Sequence, residues 1–354
     1  MNPPKPFPSW DISCRTVSMQ LEKLLTKRNA PENRTLMSGR FNLLRIVKKE
    51  EKLIFSMISK RAKEVTKQMT FYSKYSIELR INETMGIKIR GTNIVVLCLY
   101  LRTSCKQKDG KTEENEGYSY NLRRIFKYSK DPVEEWKLLC EYVLEIFKKQ
   151  TINVLTLYMD AFVDQNVSII DFLKTNVKSV NECNLFQLED ENDVDEHAAY
   201  LLKNIKVNNE LSSFLHIKNK NFDGTMPKNL KQLLIQNAEW IGYDRLLEID
   251  SRHVFLINDR ITNEEWNMFL KKWMAMETHL NLELLEFELN SFEEFRELVL
   301  PDIPHEVVAE EVKRTLITYR DKKIERSGGI VIKRIDGKTA TCFAQYTGFE
   351  MIVH

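Results

Sequence analysis

A chain of 354 residues with 43% hydrophobic and 29% charged side chains has an ordinary globular composition, long enough for one large core or two modest ones. Its formal charge of +2 conceals an asymmetry: residues 1–80 hold 17 Lys/Arg against 7 Asp/Glu, a balance of +10, and the remainder carries about −8. The longest unbroken apolar run, IVVLCLYL, is far too short to cross a bilayer, and no basic-then-apolar leader opens the chain. Six cysteines are scattered without paired spacing, so a soluble protein of a reduced compartment, cytoplasmic or nuclear, is expected.

Pro3, Pro4, Pro6 and Pro8 give an extended start. Val17, Leu21, Leu24 and Leu25 then share one side of a helix before Ala30–Asn33 break the pattern, so residues 1–40 read as an extension within a helical N-terminus. In 41–69, Ile54, Met57, Ile58, Ala62, Val65 and Met69 form the apolar face of a basic helix. The excess positive charge of this first quarter suits either a solvated helix face or an acidic or nucleic-acid partner. Aromatic support for nucleic acid is limited to Phe71, Tyr72 and Tyr75, and that partner is the one the sequence favours least.

Between Tyr75 and Arg124 the segments YSIELRI, GIKIRG, NIVVLCLYLRT and GYSYNLRR alternate and are rich in β-branched residues, which predicts antiparallel strands. The charged stretch 104–117 between them reads as an exposed loop. Its Gly110-Lys111-Thr112 lacks the glycine a phosphate-binding loop needs five positions earlier, where Cys105 stands. Asp336-Gly337-Lys338-Thr339 fails likewise, with Ile332 there. Both read as Asp-Gly turns.

Asp131 and Pro132 start a helix whose buried face is Val133, Trp136, Cys140, Val143, Leu144 and Phe147. From the strand INVLTLYM onward, Leu155, Leu185, Leu215, Leu234, Phe255 and Leu285 each sit in a short apolar run, with helical stretches such as VSIIDFLKTNV and VDEHAAYLLKNI between them. Strand–helix units at that period predict an α/β, leucine-rich-repeat-like array, with the antiparallel strands before it; the uneven steps leave an ordinary open α/β sheet as the alternative. The clearest unit is near its end. Thr262 and Glu265 have capping-box spacing, and Trp266, Phe269, Leu270, Trp273 and Met274 follow on one face, between the strands HVFLI and LELLEFEL. Then SFEEFRELVL and EVVAEEVKRTL read as helices, and 328–353 as a strand meander that ends the array by covering its last apolar face.

The residues offer little chemistry. Six histidines show no metal-ligand spacing, and there is no Gly-x-Ser-x-Gly elbow. The acidic run 188–197 lacks the glycine and terminal glutamate of a calcium loop, and reads as a polar loop entering a helix. Cys98, Cys140 and Cys183 lie in apolar runs, as small buried hydrophobes do. No catalytic residue, metal or cofactor is indicated, and the chain is not expected to be an enzyme. Trp266 and Trp273 read as core at helical spacing, whereas Trp240, between a strand and a turn, is the candidate anchor for a target protein.

The order HVFLIND, ITNEEWNMFLKKW, LELLEFEL, followed by IKRIDGKTAT and FEMIV, resembles the type 2 F-box-associated domain of the nematode F-box proteins. The resemblance spans about 70–354 and is sharpest over 230–354. Phe41, Leu43, Leu44, Arg45 and Ile46, with Ser59, Lys60 and Arg61, resemble the two ends of an F-box, shortened here to 41–69. Asn42 and Val47 replace its prolines, and about a dozen residues of its middle helix are missing. The resemblance implies a non-catalytic receptor subunit of a cullin–RING ubiquitin ligase, which docks a Skp-type adaptor and presents an unknown target protein. Phe41, Leu43, Leu44, Ile46, Ile54 and Ile58 would meet the adaptor. The missing helix leaves a second reading open: a protein-interaction module that has lost its adaptor.

Overall fold

A computed structural model describes residues 52–57, 59–69, 75–91, 96–116, 121–288, 292–318, 322–345 and 348–354. The described residues up to Met69 together with Ile146–Lys148 form one compact unit, and the described residues of Tyr75–Glu145 and Lys149–His354 form the other. The extension 1–40 and Phe41, Leu43, Leu44, Ile46 and Ile58 lie outside the described residues.

In the first unit the expected helical segment 41–69, as far as it is described, is two helices, α1 (Lys52–Met57) and α2 (Lys60–Met69). The break falls at Ser59, whose Oγ accepts the Ala62 N–H at 3.1 Å and caps α2. Leu53 and Ala62 are buried, while Met57 and Val65 are half-buried. Ile54 lies within α1.

The second unit is built on one continuous mixed sheet, fifteen strands among the described residues. Its first strands are β1 (Tyr75–Ile81), β2 (Met85–Gly91), β3 (Val96–Thr103), β4 (Thr112–Glu116) and β5 (Asn121–Tyr128). β1, β2 and β3 pair antiparallel as expected, but β5 runs parallel to β3, with β4 outside it. The expected 104–117 loop therefore contains an edge strand. Glu113 and Glu114 stand opposite Arg124 and Arg123, and this charge matching forms a strand from residues of poor strand propensity.

The helix α3 (Pro132–Phe147) follows, its Glu134 N–H capped by Asp131 Oδ1 at 3.0 Å, and all six residues of the expected apolar face are buried. Then come β6 (Thr151–Tyr158), α4 (Asn166–Asn176), β7 (Ser179–Phe186), α5 (Asp195–Asn204), β8 (Val207–Phe214), β9 (Leu230–Ile235), α6 (Tyr243–Glu248), β10 (Ser251–Leu256), α7 (Asn263–Met274) and β11 (Leu284–Glu288). β6 to β11 are parallel and lie side by side in sequence order, with β1 beside β6. Consecutive parallel strands joined by right-handed crossovers put their connecting helices on the same face. There Trp266 of α7 stacks on Phe287 of β11 at 3.7 Å between centroids.

The residues that align across the sheet on this face are Leu79, Leu155, Cys183, Leu211, Leu233, Val254 and Leu285, all buried. Of the expected series, Leu155 and Leu285 are on this row. Leu185 is two residues further along its strand, Leu215 lies beyond the end of β8, and Leu234 and Phe255 point to the other face. The first step is 28 residues, not 30, because Cys183 holds the place that leucine holds in the neighbouring strands.

The capping box of α7 is complete: Thr262 Oγ1 accepts the Glu265 N–H at 3.2 Å, and Glu265 Oε2 accepts the Thr262 N–H at 2.9 Å. Thr262→Ala removes one acceptor from an exposed helix end and is expected to cost about 1 kcal/mol of unfolding free energy. An unchanged urea midpoint would show that the cap adds nothing.

After β11 the short helix α8 (Phe292–Glu294) runs into a wide turn, Phe295–Val299. The next segment corrects the sequence reading, since EVVAEEVKRTL is strand and not helix. β12 (His305–Thr318) pairs with β13 (Lys322–Lys333), which pairs with β14 (Thr339–Gln345), which pairs with β15 (Gly348–Val353). The helical period that unites Val308, Val312 and Leu316 is overridden by long-range pairing with β13. The meander does not lie over the last apolar face either. β15 pairs antiparallel with β11 and extends the same sheet, so Phe349 stands opposite Phe287 within it, the rings tilted at 45° with centroids 4.7 Å apart. The Asp336-Gly337 turn is present, with Gly337 at φ +94° and Asp336 held by both Arg334 Nε (2.9 Å) and Nη2 (2.6 Å). No helix of the described residues is long and apolar enough to cross a membrane.

Candidate binding face

The alternation that buries one side of β6–β11 turns a second set of residues to the opposite face. Three rows cross it. The first is Glu78, Val154, Glu182, Glu210, Gln232, His253, Leu284 and Ile352, and the second is Arg80, Thr156, Asn184, Ser212, Leu234, Phe255, Glu286 and Glu350. The third row begins with Tyr158, Phe186 and Phe214 at the strand ends. Here the repeat is strict, each ring lying 28 residues after the last. The rings are half-buried and stacked, Tyr158 on Phe186 at 5.1 Å and 22°, Phe186 on Phe214 at 4.7 Å and 2°. Arg80 Cζ lies 5.8 Å from the Tyr158 ring centroid.

Across the same face the character changes. Apart from Val154, the first two rows over β6–β8 are polar or acidic, whereas Leu284, Ile352 and Phe343 form a buried cluster with Phe255 packed against it. His253 is buried in the first row, its Nε2 3.0 Å from Glu283 Oε2; burial holds its pKa below the usual value, against the opposing pull of Glu283. This face therefore offers flat aromatic area and hydrogen-bonding side chains, ingredients of a protein contact.

The loops after the strands are tied to one another. Asp160 Oδ2 accepts the Leu188 and Glu189 N–H groups at 2.8 and 2.9 Å, and Asp195, which opens α5, accepts those of Lys218 and Asn219 at 3.2 and 2.7 Å. The acidic run 188–197 thus joins three successive loops. Asp193 and Asp195 of the run accept backbone N–H groups, Asp190 pairs with His216, and among the described residues no group of three or more His, Cys, Asp or Glu is arranged to hold a metal ion. Burial pushes the Cys183 thiol up to about 12 and those of Cys140 and Cys342 further, so these cysteines stay protonated at neutral pH.

Trp240 does not join the face. It is 4% exposed and packs edge-on against Phe222 at 4.8 Å, so its ring is core in this chain and offers a partner little surface. Trp266 and Trp273 are fully buried. Ile54 belongs to the other unit. The aromatic row escaped sequence reading, although aromatics recurring at a strict 28-residue spacing were a legible signal.

No curated protein matches this chain. The stretch that forms β9, α6, β10, α7 and β11 is matched by a family: residues 221–287 fit the model of an F-box associated domain.

Proposed function

We propose that this chain is an F-box-type target receptor of a cullin–RING ubiquitin ligase, acting by position alone and without a catalytic residue of its own. The observation that carries the reading is the F-box associated match over 221–287, which coincides with the strand–helix–strand core of the array. The sequential order of β6–β11, with a 28-residue phase over β6–β8, supports a leucine-rich-repeat-like array, a form that presents one extended sheet face to a partner. On this reading the target protein rests on the Tyr158–Phe186–Phe214 face. Holding the target there raises the effective concentration of its lysines beside the conjugating enzyme. The adaptor is a Skp-type protein, met through Phe41, Leu43, Leu44, Ile46, Ile54 and Ile58. The site of action is the cytoplasm or nucleus, with no membrane or nucleic-acid partner.

The second reading, an interaction module that has lost its adaptor, is favoured by the missing dozen residues between Ile46 and Ser59. One experiment separates the two. Purified Skp-type adaptor is captured with the full chain and with a variant carrying Leu43→Asp, Leu44→Asp and Ile46→Asp. Three carboxylates placed in an apolar contact abolish docking. The receptor reading expects the parent to retain adaptor and the variant to lose it, and a parent that retains none leaves the module reading standing.

A further inference from the structure

The β12–β13 hairpin changes character halfway along. Its first part, His305–Val308 against Gly329–Ile332, belongs to the body of the sheet, since Ile330–Lys333 also pair with β14. A register shift then separates Val308 from Lys313, opposite Gly328 and Gly329, whose φ values are +67° and +106°. A Cβ on Gly329 would stand 2.9 Å from the Cys342 carbonyl oxygen, so this bend depends on glycine. Beyond it, Lys313–Thr318 and Lys322–Ser327 pair with each other and not with β14, as a two-stranded arm. The arm's paired segments contain Lys313, Arg314, Lys322, Lys323 and Arg326 against Glu325, with Arg326 already paired to Glu350 at 3.1 Å and with Glu310 and Glu311 in the shifted stretch before Lys313.

β12 is also the terminal strand of the sheet, so its outer edge has no strand neighbour among the described residues. An open edge is a template for an added strand. The cations of the arm decide which strand. An acidic strand would be attracted to them, whereas a basic one would be repelled. The chain already contains one such pairing. β4, of sequence TEENE, lies antiparallel to β5 with Glu114 opposite Arg123, and Arg123 Nε donates to Glu114 Oε1 at 2.6 Å.

We propose that the arm binds an extended acidic segment of a protein partner, added as a further strand along Lys313–Thr318 with its carboxylates on the face that carries Lys313. This edge is separate from the aromatic face, and the proposal holds whichever reading of the adaptor is correct.

The test is a fluorescence-anisotropy titration of the full chain with a labelled peptide of alternating threonine and glutamate. Three comparisons accompany it: the glutamine counterpart, the same peptide N-methylated at every residue, and a Lys313→Glu, Arg314→Glu variant whose melting curve matches the parent. Saturable binding of the glutamate peptide is expected, weakened about tenfold by the glutamine peptide, by the variant and by raising salt through the screening range, and lost on N-methylation. No binding, or equal binding of the glutamate and glutamine peptides, overturns the proposal. Full retention by the N-methylated peptide also overturns it, because charge alone would then suffice. Self-association of the chain that displaces the peptide would assign the edge to a second copy instead.

Discussion

Trp266→Ala is expected to lower the unfolding free energy by about 4 kcal/mol, the range for emptying a fully buried aromatic site. The indole is 1% exposed and makes two defined ring contacts, a 3.7 Å stack on Phe287 and an edge-to-face contact with Phe269 at 5.6 Å. It is the side chain by which α7 holds β11, and Phe287 in turn meets Phe349 of β15 at 4.7 Å. Truncation leaves a cavity between helix and sheet that these rings fill only by leaving their own positions. Trp266→Phe keeps an aromatic ring over Phe287 and should cost well under half as much. Urea unfolding of the three proteins gives the comparison directly. A loss below about 1 kcal/mol for the alanine variant would mean that α7 is not packed on β11 in solution.

The second large effect depends on pH. His279 is buried, with Nδ1 2.7 Å from Thr278 Oγ1 and its ring edge-on to Phe269 at 5.0 Å. Burial lowers its pKa to about 4, with Asp250 pulling weakly the other way. An unfolded histidine titrates near 6.5. The folded value is the lower one, so the stability this group contributes is complete above pH ~6.5 and is lost as pH falls toward 4. Across that window the chain should lose up to about 3 kcal/mol relative to a variant that cannot ionise there. His279→Asn is that variant, because asparagine tolerates the left-handed backbone at this residue, φ +48°. Asp259 titrates in the same window. Burial raises its pKa to about 6, although the Ile261 N–H bound to its Oδ1 lowers it, so it acts in the opposite direction. The difference between parent and variant removes that contribution. If the two stability curves stay parallel from pH 7.5 to 4.5, His279 is not buried as a neutral ring.

Sequence alone sufficed where a segment carries its own boundary signals. Asp131 and Pro132 begin α3, and Thr262 with Glu265 begin α7, each satisfying nearby backbone groups without help from distant residues. It failed where partners far apart in sequence decide the outcome. EVVAEEVKRTL has a passable helical face, and only its pairing with β13 makes it strand. β4 is a run of glutamates until Arg123 and Arg124 stand opposite. Register was the hardest part, since a series anchored on leucine drifts once Cys183 fills one position of the row. The same drift hid the candidate face, because Tyr158, Phe186 and Phe214 become neighbours only in the correct phase. Trp240 shows the limit of a composition argument. Tryptophan is common at interfaces, but the Phe222 ring 4.8 Å away already holds it in the core.

The position of β15 bears on how the chain is made. It follows β12, β13 and β14 in sequence, yet it stands between them and β11. During N-to-C synthesis three strands therefore leave the ribosome before the one that joins them to the rest of the sheet. Until Gly348–Val353 emerge, β11 presents a bare edge in which Leu285 and Phe287 await Met351 and Phe349. A nascent chain stalled in this interval carries two unsatisfied strand edges at once, which is the state a holding chaperone recognises and an aggregate exploits.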